Sequence, residues 1–302
     1  MYMKIYSEIL SFFPEKIKKQ FDNVSNDTWT SIKEIRIRVD RPIMIQCFNK
    51  EYFLDYIVNV EDILRLIENF SENSIYSFQN EINAGFITIR GGHRIGISGT
   101  SVFENNQIKN IKYISSLNIR VAREVKFCSE ELIKKICIND FENTIIISPP
   151  GCGKTTILRD AIRILSNGTE NIRGKNIGLV DERSEIAAVY KGVPQNDVGI
   201  RTDVMNNCKK EIGMQLLIRS MGPQIIATDE IGSISDIEAI MDACNSGIKL
   251  LLTSHGNDLE DIPNELINKR VFNNVVILDN KNKPGEIKKI YRLESKEYVA
   301  VS

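Results

Sequence analysis

The sequence predicts an α/β protein of two domains. An N-terminal α+β domain over residues 1–125 is followed by a domain over residues 126–302 with a mainly parallel sheet and a C-terminal β-hairpin. The 302-residue length fits two domains of roughly 100–200 residues each. The composition, 42% hydrophobic and 26% charged, is that of a globular protein. Near residue 129 the apolar pattern changes from mixed strands and helices to a regular alternation of the two.

The N-terminal domain is predicted from local apolar patterns. Helical spacing runs over Met3–Phe21, where Pro14 interrupts it, and over the amphipathic segment Val60–Phe70. Period-2 alternation predicts strands and a hairpin turned at Gly91–Gly92. The strand segments are IKEIRIRV, PIMIQCF, FITIR, HRIGISGTSVF and KYISSLNIRVAREV. No pattern in this domain indicates a chemistry of its own.

The second domain is predicted from strands and helices that follow one another in turn. In chain order they are the strand TIIIS, the helix Lys154–Ser166, the strand KNIGLVD, the helix Lys209–Ser220, the strand QIIATD, the helix Ile234–Asn245 and the strand IKLLLTS. Such alternation predicts a parallel sheet covered by helices on both faces. The tail, NVVILDN and IKKIYRLE around Pro284–Gly285, predicts the closing hairpin.

Charge and cysteine usage disfavour several function classes. The chain has 39 Lys and Arg against 40 Asp and Glu, so it lacks the excess of basic residues that holds nucleic acid by its phosphates. Its 6 cysteines form no C-x-x-C pair, which disfavours a structural zinc site. No apolar run approaches the ~18 residues of a membrane-spanning helix. The first residues also lack a secretory signal. We therefore expect a cytoplasmic protein with no membrane span of its own.

The strongest functional pattern is a phosphate-binding loop between a strand and a helix. The sequence PPGCGKTT follows the strand TIIIS directly. Lys154 is expected to meet the β- and γ-phosphates of ATP, and Thr155 to place its hydroxyl on Mg²⁺. Pro149 and Pro150, at the start of the loop, have no N–H, so the phosphate cradle runs from Gly151 through Thr155 or Thr156. The candidate nucleotide-binding residues are Pro150, Gly151, Cys152, Gly153, Lys154, Thr155 and Thr156.

The loop departs from the usual pattern at its first position, where Ser148 replaces glycine. A residue before proline is extended in any case, so a serine at the end of the strand is tolerated. The alternative interpretation is a Gly-Lys-Thr turn formed by chance between a strand and a helix.

Acidic residues follow two of the predicted strands. Asp229 is the candidate Mg²⁺ ligand, through water, and Glu230 is the candidate base for the attacking water. An acidic pair opening the next helix is the alternative. Asp181 and Glu182 also follow a strand end and form a second candidate catalytic element. Helix capping is the competing explanation for that pair.

Two histidines complete the set of candidates. His255 follows the strand IKLLLTS and is a candidate sensor of the γ-phosphate, with a solvent-facing turn histidine as the alternative. His93 lies beside the predicted hairpin turn, whose glycines are explained by the turn alone, so the role of His93 stays open.

With these elements in this order, the chain resembles the secretion and pilus motor ATPases, in the additional-strand, catalytic-glutamate branch of P-loop ATPases. The matching segments are PPGCGKTT (Walker A), GLVDERSE (Asp box), RSMGPQIIATDEIG (Walker B) and ACNSGIKLLLTSHGND (His box). Three positions depart from many of those motors. Asp229 replaces a glycine, and Gly232–Ser233 replaces Arg-Asp, which favours a metal shell like that of AAA-type ATPases (AAA+).

A closer resemblance, along nearly the whole chain, is to the stage III sporulation protein AA family of spore-forming bacteria. It rests on the segments EIRIRVDRPI, RGGHRIGISG, SLNIRVARE, PPGCGKTT, VDERSEIAA and IRSMGPQIIATDEIG. The resemblance implies a RecA-like P-loop ATPase domain that uses ATP and Mg²⁺. It also implies a homo-oligomer, a hexamer, in the cytoplasm. Such a hexamer would lie peripherally at a membrane and power or assemble a secretion-like channel between mother cell and forespore, through the membrane channel proteins of the sporulation complex.

The resemblance also implies that N-terminal arginines reach the nucleotide. Arg120 and Arg123 are the leading candidates for a guanidinium on the γ-phosphate. Arg90 and Arg94 come second. The alternative is that these arginines lie on strand faces or pair with carboxylates. In that case Arg183, Arg201 and Arg219 take their place as candidates.

Two other functions stay open at this point. One is a nucleic-acid-binding P-loop ATPase. The N-terminal arginines favour this function, and the formal net charge of −1 disfavours it. The other is a structural assembly module switched by nucleotide, which would not need Glu230.

Overall fold

The computed structural model describes residues 2–72, 74, 78–83, 85–104, 107–281 and 283–301. The chain divides into two compact units. The first contains Met1–Arg123 together with Ala188–Gln195, and the second contains Glu124–Ala187 together with Asn196–Ser302. The first unit therefore includes a short segment that lies far downstream in the sequence.

The helices and strands of the described residues are as follows. The α-helices are α1 (Tyr2–Leu10), α2 (Glu15–Lys18), α3 (Asn26–Ser31), α4 (Val60–Phe70), α5 (Gln79–Asn83), α6 (Glu130–Ile136), α7 (Lys154–Asn167), α8 (Lys210–Met221), α9 (Ile234–Asn245) and α10 (Asn264–Asn268). The strands are β1 (Ile32–Arg38), β2 (Pro42–Cys47), β3 (Glu51–Ile57), β4 (Phe86–Thr88), β5 (Arg94–Glu104), β6 (Gln107–Arg120), β7 (Thr144–Ser148), β8 (Ile177–Asp181), β9 (Val189–Tyr190), β10 (Val193–Pro194), β11 (Thr202–Asn206), β12 (Ile225–Thr228), β13 (Lys249–His255), β14 (Asn274–Asp279), β15 (Glu286–Glu294) and β16 (Glu297–Ala300). No helix in these ranges is long and apolar enough to cross a membrane.

The first unit is built on an antiparallel sheet in the order β3-β2-β1-β6-β5-β4. Helix α4 begins with a capping box, in which the side chains of Asn59 and Asp62 each accept from the other's backbone N–H. Its apolar face packs into a core that includes the fully buried rings of Phe21, Trp29 and Phe70. The short hairpin of β9 and β10 belongs to this unit as well.

The second unit is built on a sheet in the order β11-β8-β12-β13-β7-β14-β15-β16. The strands from β11 to β14 are parallel, and β15 and β16 are antiparallel additions. Strands β7, β8 and β12 are buried throughout, as expected for a parallel sheet covered on both faces. The predicted α/β fold with a mainly parallel sheet is confirmed.

The predicted C-terminal hairpin is present and is extended by a third strand. Strands β14 and β15 pair as predicted, and β16 adds a third strand at the edge. Strand β14 also pairs in parallel with β7, the strand that leads into the phosphate loop. The turn between β14 and β15 reaches that loop, because the Gly285 N–H donates to the Cys152 carbonyl at 2.8 Å.

Candidate nucleotide-binding site

The loop between β7 and α7 has the geometry of a phosphate cradle. Gly151 and Gly153 have φ angles of +78° and +84°, a region that favours glycine. Helix α7 begins at Lys154, and its first turn has no side-chain cap, so its N–H groups and dipole are available to an anion. A side chain at Gly153 would come within 3.2 Å of the Gly285 backbone nitrogen. The glycine is therefore required by both the turn and the packing.

The Lys154 side chain is buried and held beside the loop. Its Nζ donates to the Ser148 carbonyl at 2.9 Å and to His255 Nδ1 at 3.0 Å. Burial lowers the pKa of Lys154, while nearby carboxylates, led by Glu230, act in the opposite sense. A phosphate would replace these neutral acceptors with a charged one.

Glu230 lies two residues past the end of β12, and its side chain lies between those of an arginine and a histidine. Its carboxylate is 2.8 Å from an Arg183 guanidinium nitrogen and 3.1 Å from His255 Nε2. Because Lys154 donates to Nδ1 of His255, Nε2 carries the ring hydrogen and donates to Glu230. The Glu230 backbone has a φ of +48°, and its N–H donates to Thr253 Oγ1 at 2.9 Å. A continuous series of polar contacts thus joins the lysine, the histidine, the glutamate and the arginine.

Asp229 and Thr155 are the residues predicted to hold Mg²⁺, and within the described residues no group of three or more His, Cys, Asp or Glu side chains is arranged to hold a metal ion. Asp229 is almost fully buried, and no side-chain hydrogen bond to its carboxylate is present in the described chain. Burial, reinforced by the charges of Asp181 and Glu230, raises the pKa of Asp229 to about 6. Mg²⁺ is usually bound through one or two protein oxygens together with waters and substrate phosphates, so the predicted site needs few protein ligands. Thr155, in the first turn of α7, would supply the hydroxyl.

Asp181 and Glu182 are engaged in the protein. Asp181 is fully buried and accepts from three backbone N–H groups, those of residues 185, 186 and 187, at 2.8–3.1 Å. Burial raises the pKa of Asp181, and these hydrogen bonds oppose the rise. Glu182 pairs with Lys210 at 2.6 Å. Their contacts are those of residues that order the loop after β8, and their catalytic role stays a prediction.

Sequence reasoning missed Arg159, which fixes the same loop from α7. Its guanidinium donates to the carbonyls of Glu185 and Ile186, both at 2.6 Å. In the sequence Arg159 is one of several charged residues of α7, beside Asp160 and close to Arg163, and nothing distinguishes it from them. The sequence also does not reveal which carbonyls the arginine meets.

The N-terminal candidates make contacts within the first unit. Arg120 lies 3.8 Å from Glu34 and is mostly exposed. Arg123 donates to the Ile32 carbonyl at 2.8 Å and lies over the Phe48 ring, and burial lowers its pKa. These contacts are of the kind that the alternative interpretation expects, and a role at the nucleotide stays a prediction.

His93 is a buried residue of the first unit. Its Nδ1 accepts from the Ala122 N–H at 3.0 Å, so Nε2 carries the hydrogen and faces Glu8 at 3.4 Å. This arrangement accounts for His93 as a structural histidine of the first unit.

A cavity of about 600 Å³ lies beside the phosphate loop, within the second unit. Ile157, one turn into α7, forms part of its wall, as does Pro284–Gly285 of the hairpin turn. Leu278 and Ile287 extend the apolar surface, and charged side chains such as Glu131 line its other side. The lining is mixed, with apolar side chains on part of the wall and charged side chains on the rest, and the apolar part offers a surface on which the base of a nucleotide could pack.

Known proteins resemble the chain in both sequence and structure. A family model described as "Sporulation stage III, protein AA" matches residues 3–297. The chain is 36% identical over 290 residues to stage III sporulation protein AA of Bacillus subtilis strain 168, with 94% of each chain covered.

Two solved structures share the fold. The Legionella pneumophila ATPase DotB aligns with a TM-score of 0.57 at 14% identity, over 96% of this chain and 80% of that one. The pilus retraction motor PilT, solved with bound ADP, aligns with a TM-score of 0.59 at 13% identity, over 95% of this chain and 80% of that one. The predicted fold class, an α+β domain followed by a RecA-like domain, is thereby confirmed.

Proposed function

The chain belongs to the sporulation stage III protein AA family, and from that premise we propose that it is a Mg²⁺-dependent ATPase. The observation that carries the proposal is the series of contacts from Lys154 through His255 to Glu230. In this series the predicted phosphate-binding lysine, the predicted sensor and the candidate base lie side by side at the carboxyl ends of parallel strands, where such sheets bind ligands, and this supports the proposal.

Each group has a chemical role in ATP hydrolysis. The backbone from Gly151 to Thr156 and the Lys154 ammonium hold the phosphates. Thr155 and Asp229 would hold Mg²⁺, which supplies positive charge to the phosphoryl oxygens when bound. Glu230 takes the proton of the attacking water, and His255 contacts the γ-phosphate.

The cavity beside α7 supports a nucleotide as the substrate. Its apolar wall at Ile157 and Leu278 offers a surface for a base, and the hairpin turn at Pro284–Gly285 joins that wall to the loop. The base and the phosphates would then occupy adjacent parts of one unit.

We propose further that the ATPase is a homo-oligomer, a hexamer, that serves as motor or assembly factor for a secretion-like channel between mother cell and forespore. Exposed apolar side chains on α8 and α9, such as Ile212, Leu216 and Ile234, support association through this part of the second unit. The channel proteins of the sporulation complex would hold it peripherally at the membrane from the cytoplasmic side.

The test is ATP turnover of the purified full chain, with and without Mg²⁺ and with and without DNA, together with its mass in ATP. We expect turnover that requires Mg²⁺ and that is unchanged by DNA. We also expect the molecular mass of a hexamer in the presence of ATP. Turnover stimulated by DNA would favour the nucleic-acid ATPase instead. Normal sporulation with a hydrolysis-dead variant would favour a nucleotide-switched structural module.

A further inference from the structure

Arg183 lies against the candidate base from the loop after β8. Its guanidinium nitrogen is 2.8 Å from Glu230 Oε2, while Oε1 faces His255 Nε2 at 3.1 Å. We propose that Arg183 is a positioning residue that holds the Glu230 carboxylate in the orientation needed to take a proton from water. This inference rests on the proposed ATPase function.

The backbone that directly follows Arg183 is fixed by two side chains. Asp181 accepts from the N–H groups of residues 185 to 187. Arg159 donates from α7 to the carbonyls of residues 185 and 186. The Arg183 side chain itself is 61% exposed, so it adds little to the core. A rigid support with an exposed side chain suits a residue that orients another group.

The backbone of Glu230 is fixed as well. Its N–H is bound to Thr253 Oγ1, and its positive φ is a conformation that a non-glycine residue keeps only where the surroundings impose it. The side chain therefore starts from a defined point, and its two oxygens are held by Arg183 and His255.

The two constraints on the carboxylate differ in how they depend on Lys154. His255 is bound to Lys154, which leaves its present acceptors when it binds phosphate. Arg183 has no such link to the phosphate loop among the described contacts. With His255 engaged elsewhere, Arg183 keeps Oε2 and leaves Oε1 free to accept the proton of water. A base held by a third group is a recurring arrangement in catalysis.

The first test separates turnover from binding. We expect Arg183→Ala to lower kcat about 10- to 100-fold, by analogy with the loss seen when a hydrogen-bond partner that orients a metal ligand is removed. KM for ATP should change less than about twofold if chemistry is rate-limiting, because Arg183 does not hold the phosphates. Arg183→Lys should recover part of the loss, since an ammonium keeps the charge without the planar fork. Arg173→Ala, an exposed arginine of the same unit, is the control.

The second test is a double-mutant cycle with Glu230→Gln. If Arg183 acts through Glu230, adding Arg183→Ala to Glu230→Gln should lower turnover no further. If the fold-loss of turnover in the double variant equals the product of the two single losses, the proposal is overturned, because Arg183 would then act on the nucleotide independently of Glu230. An unchanged kcat in Arg183→Ala, with the parent active and Glu230→Gln impaired, would overturn the proposal and leave the ATPase function standing. An inactive parent would instead overturn the proposed function.

Discussion

Lys154 is a buried cation whose present acceptors are neutral atoms, the Ser148 carbonyl and a ring nitrogen of His255. Burial of a charge without a charged partner costs free energy, which a phosphate would offset. We therefore expect Lys154→Ala to lose measurable ATP affinity while its free energy of unfolding stays close to that of the parent. Nucleotide titration and urea unfolding measure the two quantities, with the exposed Lys269→Ala as control. Unchanged ATP affinity would contradict the phosphate-loop assignment.

Glu230→Gln is expected to bind MgATP and to hydrolyse it at least ~10²-fold more slowly, because it loses the proton acceptor. It should accumulate the ATP-bound oligomer, measured by mass alongside turnover. Glu238→Gln, on the exposed side of α9, serves as the control. Near-normal turnover in Glu230→Gln would assign the role of the base to Glu182 or Asp181 instead.

At the scale of single residues, the sequence predicted which polar side chains lie near one another. It did not predict which hydrogen bonds and ion pairs they form. Lys154 and Glu230 come after strand ends and His255 is the last residue of β13, so their proximity follows from the parallel sheet. The positive φ of Glu230 and its contact with Arg183 leave no trace in the sequence, because they depend on loop conformation. The same holds for Asp181, which meets backbone groups that only the folded loop presents.

At the scale of elements, Asp160 ties helix α7 to the segment before α6. Its buried carboxylate accepts from the Ser129 N–H at 2.8 Å, the Ser129 hydroxyl at 2.9 Å and the Arg163 guanidinium at 2.7 Å. Burial alone would raise the pKa of Asp160, but these hydrogen bonds lower it below its ordinary value. The carboxylate therefore favours the folded state when it is ionised.

We expect Asp160→Asn to lower the free energy of unfolding by about 1–3 kcal/mol at neutral pH, since charged hydrogen bonds are lost in a buried place. A lowered folded pKa contributes stability above the unfolded value of about 3.9 and loses it as pH falls through the folded value. The difference between variant and parent should therefore shrink below about pH 4. Urea unfolding at several pH values measures this difference in the free energy of unfolding, with Asp242→Asn, at an exposed position, as control. A difference that does not change with pH would contradict the assignment.

The elements that the sequence left out are mainly short or at sheet edges. Strands β3, β11 and β16 lie at the ends of their sheets. Edge strands are only partly buried, so their apolar alternation is weak, as in TDVMN of β11. The central strands were predicted because burial on both faces requires an apolar run. Helix α2 has 4 residues, too few for a helical period to be read.

At the scale of the whole molecule, the N-terminal arginines are the most demanding prediction. A guanidinium on the transferring phosphoryl group is worth ~10³–10⁵ in rate in P-loop systems. We expect the joint replacement of Arg120 and Arg123 by alanine to lower turnover much more than ATP affinity, because the contact matters most as charge develops. Turnover and nucleotide titration measure the two effects, and Arg65→Ala, on the exposed side of α4, is the control. Turnover at the parental rate would contradict a role of Arg120 and Arg123 at the nucleotide.

The hairpin of β9 and β10 makes the first unit a discontinuous domain. Ala188 and Val189 are buried, Tyr190 and Lys191 contact Glu72, and Gln195 accepts from the Gly91 N–H. A gene fragment that ends at Arg123 would therefore encode an incomplete domain, with Glu72 and the Gly91 amide deprived of these partners. The second unit, cut out on its own, would carry an orphaned hairpin in the middle of its sequence. The polypeptide passes three times between the units, so neither can be exchanged by a single splice.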